Sequence, residues 1–428
     1  MSRSTPLALL TVALTCSLAT AQSPGEKKVD TPLPGKAVAR YRPVLADADS
    51  SAIHSLAWAP DGKSVVLIVV GSRGDTLLQS VRLWDSSTSR LRADFGPGST
   101  VAFSADGKTV AWGGGWSETV QIRDYVAGQN QRKLQSGMAT SHVAFAPDGK
   151  SIITVAGAVG RTVTVWDVGT GKKRFQPGVS VIGFAFAPDG KSLAVLGQKE
   201  EKTLLAVHDI ATGKPRFSID VPAPEPMTLQ PLEPAAQLAY SPDGKLLAVG
   251  GTSPLLVDAV SGKERARLGD GKSYSTNMAF SRDGKLLATI EVNRAEQKQR
   301  IENPELQDPK KALASGETIR IWDVATGKEQ VEFPGHTVGT KGLAFSSDGA
   351  VLFTAGIDMP AGPVDGGFGV IRGLKGYLRS WDVKTGKVRR QISAHAEGVN
   401  CLALAPDGKS IATGGGDGLV IIWKAEEK

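Results

Sequence analysis

Five histidines are the side chains of this sequence best suited to bind a metal or transfer a proton: His54, His142, His208, His336 and His395. A structural or catalytic zinc site needs three or four ligands at characteristic spacings, and no cysteine or carboxylate cluster with such a spacing accompanies them. HExxH and GxSxG motifs are both absent, so zinc hydrolysis and elbow-type serine hydrolysis lack support. We therefore expect no catalytic residue and no metal site.

A glycine-rich stretch, GGFGVIRG at 366–373, is superficially similar to a nucleotide-binding loop. Its glycines at 367, 369 and 373 do not have the GxGxxG spacing, and no helix signal follows them. We interpret the stretch as a flexible insertion and expect no cofactor.

The composition is that of a globular, turn-rich protein. The 428 residues include 50 Gly and 24 Pro, and the formal net charge is +7. This basic bias is too weak to imply nucleic-acid binding on its own. No apolar stretch after the N-terminal region is long enough to span a membrane.

The first 21 residues have the pattern of a secretory signal peptide. Arg3 is followed by the apolar run LALLTVAL, and Ala19-Thr20-Ala21 offers small residues for cleavage. We expect a signal peptide at 1–21, a linker at 22–35, and an exported protein, periplasmic or extracellular. Because only Cys401 remains after cleavage, no internal disulfide is expected.

An Asp-Gly pair recurs throughout the rest of the chain, inside near-identical copies of FAPDGK. The eight pairs begin at Asp61, Asp106, Asp148, Asp189, Asp243, Asp283, Asp348 and Asp407. Most steps lie close to the 40–45 residues of a four-stranded propeller blade, and the longer ones indicate insertions. Ser-Pro-Asp-Gly is typical of a tight turn, with glycine at a positive φ.

One further marker follows each pair, and a second follows five of them. One resembles VTVWD and carries Trp84, Trp166, Trp322, Trp381 or Trp423; degenerate copies have Arg123, His208 and Val257 at that position. The other is Thr/Ser-Gly-Lys, a second turn. Each unit thus predicts four short antiparallel strands joined by tight turns.

An alanine stands four residues before each Asp, and a large residue follows it. The alanines are Ala57, Ala102, Ala144, Ala185, Ala239, Ala279, Ala344 and Ala403. A small residue beside a large one suits a strand that crowds against a central axis. We place this column on the innermost strand.

These markers resemble the WD-repeat family of β-propellers, and the resemblance covers nearly the whole chain after the signal. It implies an all-β propeller at 36–428 with eight four-stranded antiparallel blades, or alternatively seven. It also implies two complete structural tetrads, which are His336, Thr354, Asp358, Trp381 and His395, Thr413, Asp417, Trp423. On this basis His336 and His395 are structural. His54 and His142 begin innermost strands near the channel mouth.

The last unit ends at IIWKAEEK, after its third strand. The stretch 36–45 precedes the first unit and has no other role there. We predict that it supplies the missing fourth strand, because a closed ring leaves no open edge at the seam.

Enzymatic propellers are an alternative. The WDVATGK-type repeats are similar to those of quinoprotein dehydrogenases, but the positions of those enzymes' docking Trp hold Phe175, Phe217, Ala266, Val331 and Arg390. The sialidase box is also mismatched, since SADGKTVAW at 104–112 misplaces its Gly. No catalytic site assembles, and function has to be argued from a site.

The favoured function is a non-catalytic scaffold for a protein partner, in a monomer. Three insertions, at 221–236, 291–318 and 356–377, are expected on the face opposite the tight turns, where long loops bind. The second has a short-helix pattern near 294–301. Candidate contact residues are Arg294, Arg300, Phe368, Arg372 and Tyr377.

A second hypothesis is a basic rim on the face with the tight turns. It consists of Lys172, Lys173, Arg174, Arg216, Arg265, Arg389 and Arg390. We expect these residues not to be offset by neighbouring Asp, in contrast to the lysines of the Asp-Gly-Lys turns. Such a rim would suit an acidic envelope polymer such as a polysaccharide.

Overall fold

The fold is an eight-bladed β-propeller. The computed structural model describes residues 37–425 except 44, 46–47, 116, 126–131, 158–160, 223–237, 294, 296–315 and 360–373. Within these residues, eight antiparallel sheets of four strands follow one another along the chain. The predicted fold class and the count of eight are confirmed, and the alternative of seven blades is wrong.

The bounds of the strands repeat the sequence period. Blade 1 contains β2 (Ser50–Trp58), β3 (Ser64–Arg73), β4 (Thr76–Asp85) and β5 (Leu91–Gly96), and blade 2 contains β6 (Thr100–Phe103), β7 (Thr109–Gly113), β8 (Thr119–Asp124) and β9 (Arg132–Gln135). Blade 3 contains β10 (Thr140–Phe145), β11 (Ser151–Ala156), β12 (Thr162–Asp167) and β13 (Lys173–Phe175), and blade 4 contains β14 (Ser180–Phe186), β15 (Ser192–Lys199), β16 (Lys202–Asp209) and β17 (Pro215–Val221). Blade 5 contains β18 (Leu238–Tyr240), β19 (Leu246–Val249), β20 (Leu255–Asp258) and β21 (Glu264–Arg267), and blade 6 contains β22 (Ser273–Phe280), β23 (Leu286–Asn293), β24 (Glu317–Asp323) and β25 (Glu329–Pro334). Blade 7 contains β26 (Gly339–Phe345), β27 (Val351–Asp358), β28 (Lys375–Asp382) and β29 (Val388–His395).

Blade 8 is built from both ends of the chain. It consists of β30 (Val399–Leu404), β31 (Ser410–Gly415), β32 (Val420–Lys424) and β1 (Ala37–Tyr41). In the antiparallel pair of β1 with β32, Ala37 lies opposite Trp423 and Tyr41 opposite Val420. The predicted closure is therefore confirmed, with a strand shorter than 36–45.

The Asp-Gly turns have the geometry that their residues predict. In blade 3, Gly149 has φ 67° and donates its N–H to the carbonyl of Ala146 at 2.9 Å. The Asp148 carboxylate accepts the N–H of Lys150 at 2.9 Å. Glycine is needed here because a side chain is strained at this φ.

Both tight turns of a blade lie at the same end. After each third strand, one N–H donates to a carbonyl of the Asp-Gly turn, as from Val168 to Lys150 at 3.0 Å. We call this end of the propeller the turn face. The opposite end is the loop face, and it carries the second-to-third strand connections and the connections between blades.

The core lies between the blades. Among the described residues, eight apolar clusters are each shared by two neighbouring blades. Near the axis, the alanine of one blade packs in the same cluster as the large residue of the next. Ala185 shares a cluster with Tyr240, and Ala403 with Trp58, whose indole N–H donates to the Ala403 carbonyl at 3.1 Å. The alanine column thus makes room for the following blade.

Candidate partner-binding site

The two predicted tetrads form hydrogen-bond networks. In blade 8, His395 bonds Asp417 through Nδ1 and Thr413 through Nε2, both at 2.9 Å, and Trp423 donates its indole N–H to Thr413 Oγ1 at 2.9 Å. The imidazoles of His395 and of His336, its counterpart in blade 7, are both almost fully buried. These contacts occupy every polar atom of the ring, so His395 is engaged within its blade.

The blade 7 network extends one step further. His336 contacts Thr354 at 3.1 Å and Asp358 at 3.4 Å, and Trp381 donates to Thr354 Oγ1 at 2.9 Å. The guanidinium of Arg379 forms an ion pair with Asp358 at 2.6 Å. Burial, followed by the nearby Arg379 charge, lowers the pKa of His336 below its ordinary value of 6.5, although hydrogen bonding to Asp358 opposes the shift.

Sequence reasoning missed a third network, in blade 6. Trp322 donates to Thr289 Oγ1 at 2.9 Å, and Thr289 donates to the buried carboxylate of Glu291 at 2.8 Å. Glu291 thus takes the place that a histidine has in blades 7 and 8, and Arg320 lies 3.7 Å from it. The Trp-Thr bond had a signal in the sequence, because Thr289 stands six residues after Asp283 as Thr354 does after Asp348, but no spacing announced Glu291.

The remaining histidines do not converge on a site. His208 contacts the carbonyl of Gly213 at 3.2 Å and stacks on Phe175. His142 contacts Ser141 at 3.0 Å, whereas His54 is exposed at a β-bulge of β2. Among the residues with a described placement, no three His, Cys, Asp or Glu side chains are grouped so as to hold a metal. Cys401 is buried, and burial raises the pKa of its thiol to about 12.

The prediction that the rim arginines are not offset by Asp is wrong. Four of them form ion pairs with the Asp that follows the Trp column, seven residues earlier: Arg174 with Asp167, Arg216 with Asp209, Arg265 with Asp258, and Arg389 with Asp382. The two residues face each other across the second tight turn. This spacing was visible in the sequence, and it recurs as Asp85 and Arg92 in blade 1.

The aspartates are also held by their own turns. Asp167 Oδ1 accepts the N–H and the hydroxyl of Thr170 at 2.7 and 2.8 Å. The bond from Arg174, with those from Thr170, lowers the pKa of Asp167 to about 2. Of the predicted rim, Lys172, Lys173 and Arg390 are exposed and have no ion pair among the described residues.

All three insertions begin and end on the loop face. The first leaves after Val221 and returns at Leu238, between blades 4 and 5. The second lies beyond the paired residues Val292 and Glu317 of blade 6, and the third beyond Asp358 and Lys375 of blade 7. Arg294, Arg300, Phe368, Arg372 and the helix predicted at 294–301 lie outside the described residues, Ala295 excepted.

Tyr377 is the one candidate contact residue that the structure places. It lies on β28, half-buried, with the Arg379 guanidinium 5.9 Å from its ring centroid. Arg379 in turn binds Asp358, the residue from which the third insertion departs. Tyr377 is therefore fixed to the blade 7 network at the base of that insertion.

The base of the second insertion is tied to blade 7. The Glu317 carboxylate accepts the N–H of Thr340 at 2.7 Å, and its carbonyl accepts the N–H of Gly335 at 2.8 Å. Burial raises the pKa of Glu317. The insertions of blades 6 and 7 therefore depart from two neighbouring, directly bonded supports.

Comparisons with known proteins agree with the repeat pattern. The family model "WD domain, G-beta repeat" matches residues 327–359 and 386–424. These segments contain His336, Thr354 and Asp358 of one tetrad and all four residues of the other.

Similar curated proteins match parts of this chain. The protein ROOT INITIATION DEFECTIVE 3 of Arabidopsis thaliana is 28% identical over 135 residues, covering 25% of this chain and 31% of its own length. The WD repeat and SOCS box-containing protein 1 of Xenopus tropicalis is 29% identical over 111 residues, covering 26% and 22%. The protein groucho of Drosophila melanogaster is 28% identical over 126 residues, covering 28% and 15%. The chain thus spans less than a third of the length of each.

Among solved structures, the computationally designed Ika8 protein has a TM-score of 0.56 and 21% sequence identity. The match covers 88% of this chain and 98% of that one. This similarity supports the fold alone. No helix in the described part of the chain is long and apolar enough to cross a membrane.

Proposed function

Because this chain is a WD-repeat β-propeller, we propose that it is a non-catalytic scaffold that presents its loop face to a protein partner. The observation that carries the proposal is that all three insertions attach to that face, one between blades 4 and 5 and the others within blades 6 and 7. Long loops on a rigid frame are where binding usually resides, and short turns only hold the frame. The proposed site comprises these insertions with Tyr377 at their base.

Hydrogen bonds fix the frame beneath the second and third insertions. Blades 6 and 7 carry Trp-Thr networks, and Glu317 joins them through Thr340. Interdigitated packing between blades resists deformation. A partner that contacts several insertions at once would therefore meet supports that are already in place, which limits the entropy cost of binding.

Two alternatives receive less support. Phe175, Phe217, Ala266, Val331 and Arg390 still occupy the positions where a quinoprotein-like enzyme would need its Trp. An acidic polymer binder would use the rim arginines, but four of these already bind Asp. Of the predicted rim, Lys172, Lys173 and Arg390 remain exposed without an ion pair among the described residues.

The test is a pull-down with the full protein and a triple-loop variant. Short connections already exist in this chain as templates: β3 and β4 are joined by Gly74-Asp75, and β13 and β14 by four residues. The blade 6 and 7 insertions can be replaced by Gly-Asp, and residues 223–237 cut to four residues. We expect the partner to be lost while the melting temperature stays close to that of the full protein.

A turn-face variant, Lys191→Glu with Lys245→Glu, is the matched control and should keep the partner. Retention of every partner by the triple-loop variant would overturn the proposal. So would loss of the partner from the turn-face variant alone.

We also propose that the protein is exported after cleavage behind Ala21 and acts as a monomer. Support comes from the sequence pattern of residues 1–21 and from the closed ring, which leaves no unpaired strand at the seam. Mass spectrometry of the protein recovered outside the cytoplasm shows whether it has been cleaved behind Ala21. Light scattering gives its molar mass in solution and so tests the monomeric state. An uncleaved product in the cytoplasm would contradict the first claim, and a stable dimer the second.

A further inference from the structure

A cavity of about 320 Å³ lies on the turn face near the axis, between blades 6, 7 and 8. Its apolar wall includes Phe280, Phe345 and Leu404, with alanines of the axial column between them. Ser347 and Arg282 lie at its edge, in the tight turns of blades 7 and 6. This volume is at the lower end of the range for small-molecule sites, roughly 300–1,000 Å³.

The cavity coincides with a departure from the repeat beside the axis. Leu404 stands where the other seven blades have an aromatic residue: Trp58, Phe103, Phe145, Phe186, Tyr240, Phe280 and Phe345. An aromatic ring in that column packs beside the alanine of the preceding blade, as Tyr240 does beside Ala185. The shorter Leu404 leaves space beside Ala344.

The turns above this space depart from the repeat as well. At three other turns a proline covers the glycine of the next blade: a Cβ built on Gly107 would lie 3.5 Å from Pro60, one on Gly244 would lie 3.5 Å from Pro188, and one on Gly284 would lie 3.5 Å from Pro242. Blades 6 and 7 have Arg282 and Ser347 in place of that proline, and blade 2 has Ala105. Arg282 and Ser347 are 65 positions apart in the sequence, and Ser347 and Leu404 are 57 apart, yet all three departures from the repeat meet at one place.

Arg282 gives the cavity a free charge. Its side chain is exposed, and it has no ion pair or hydrogen bond to any residue of known placement. The adjacent carboxylate, Asp283, is engaged by Ser281 Oγ at 2.7 Å and by the N–H of Lys285 at 3.1 Å. On the next blade, Asp348 is held in the same way by Ser346. The guanidinium is thus available to an anion at the cavity mouth.

We propose that this cavity is a binding site for a carboxylate carried on an apolar or aromatic body. The carboxylate would pair with Arg282, and the body would lie against Phe280, Phe345 and Leu404. The site lies on the face opposite the proposed partner site and does not depend on it.

The probe is 3-phenylpropionate, titrated into the full protein and followed by ligand-observed NMR or calorimetry. Its neutral amide is the control for charge and should bind about tenfold more weakly. Arg282→Ala should weaken binding of the acid about three- to tenfold, as expected for a partly exposed charged pair. Arg90→Ala, another exposed turn-face arginine with no ion pair among the described residues, should leave it unchanged.

Leu404→Phe should abolish binding by filling the cavity. This variant restores the residue type of the other blades, so it should fold, which its melting curve verifies. The proposal would be overturned if the acid and the amide bound equally well, or if the acid did not bind up to its solubility limit. It would also be overturned if Arg282→Ala or Leu404→Phe bound the acid as well as the unmodified protein.

The same assay shows whether the carboxylate belongs to a protein C-terminus or to a free small acid. A short peptide ending in Phe with a free carboxylate is compared with its amidated form and with 3-phenylpropionate. Tighter binding of the free-carboxylate peptide than of the small acid assigns the site to a protein C-terminus, and the reverse order assigns it to a free small acid. Weaker binding of the amidated peptide than of the free-carboxylate peptide supports recognition of a carboxylate. Equal binding of the two peptides contradicts it.

Discussion

Tyr41 stacks on Trp84 with their ring centroids 5.0 Å apart and their planes at 17°. Tyr41 ends the N-terminal strand β1 of blade 8, and Trp84 belongs to the third strand of blade 1. The two rings are buried at the seam where the propeller closes. The first described strand thus contributes both backbone pairing and an aromatic contact to the closure of the ring.

Loss of this contact should destabilise the whole propeller. Tyr41→Ala removes a buried ring and leaves a cavity, so we expect the free energy of unfolding to fall by about 3 kcal/mol. Urea denaturation measures it. Val38→Ala on the same strand is the control, because Val38 is exposed and its truncation should change stability little.

Removal of the strand itself should do more. A protein lacking residues 22–45 presents β32 as an open edge, and such edges pair with other chains. We expect a lower melting temperature and concentration-dependent aggregation by light scattering. A truncated protein that melts and migrates like the cleaved full chain would show that β1 is dispensable.

Tyr41→Phe should have the opposite effect on stability. The Tyr41 hydroxyl is buried and has no hydrogen-bond partner among the described residues, and burial raises its pKa well above 10. Because a buried unsatisfied hydroxyl costs free energy, its removal should stabilise the fold by about 1 kcal/mol. A destabilised Tyr41→Phe variant would reveal a partner for the hydroxyl.

The Thr-Glu contact of blade 6 should matter as much as a tetrad. Thr289→Val keeps the shape of the side chain but leaves the Trp322 N–H and Glu291 without their partner. We expect a loss of about 2 kcal/mol, the cost of unsatisfied buried groups. Thr318→Val in the same blade is the control, since Thr318 is half-buried and its hydroxyl makes no hydrogen bond among the described residues.

His336 should make stability depend on pH. Its pKa is lowered in the folded protein, so the unfolded chain binds the proton first as the pH falls below 6.5. Stability is therefore fully present above 6.5 and is lost as the pH decreases towards the lower folded pKa. The groups facing the ring are Asp358, Thr354 and Arg379.

Melting curves between pH 7.5 and 5 measure this effect. His336→Gln should show a shallower fall in melting temperature than the unmodified protein, whereas His54→Gln, at an exposed position, should retain the original slope. Parallel profiles for all three proteins would mean that His336 does not control this pH range.

The ion pairs of the rim should suppress binding to acidic polymers. We expect weak retention on an anionic polysaccharide column, lost with modest salt. Replacing Asp167, Asp209, Asp258 and Asp382 by Asn frees their arginines and should increase the salt needed for elution. If the four substitutions leave elution unchanged, the pairs do not mask the rim.

The sequence by itself determined the repeating frame. Turn chemistry is contiguous, since Asp and Gly of one hexapeptide supply both the bond and the positive φ, and so the eight turns were readable in order. Closure followed from a missing fourth strand, and the tetrad residues from a resemblance with fixed spacing. The pairing of Arg174 with Asp167 was equally local and was missed because only directly neighbouring Asp residues were considered, whereas Asp167 stands seven positions before Arg174.

Only the tertiary structure decided which side chain completes the blade 6 network and how neighbouring blades fit together. Glu291 replaces a histidine because its carboxylate reaches Thr289 inside blade 6, and no spacing rule announces such an exchange. The cavity at Arg282 and Leu404 exists because substitutions in three different blades meet at the axis. Contacts between neighbouring blades join residues tens of positions apart, and their fit depends on side-chain volumes summed across the seam, which no single repeat contains.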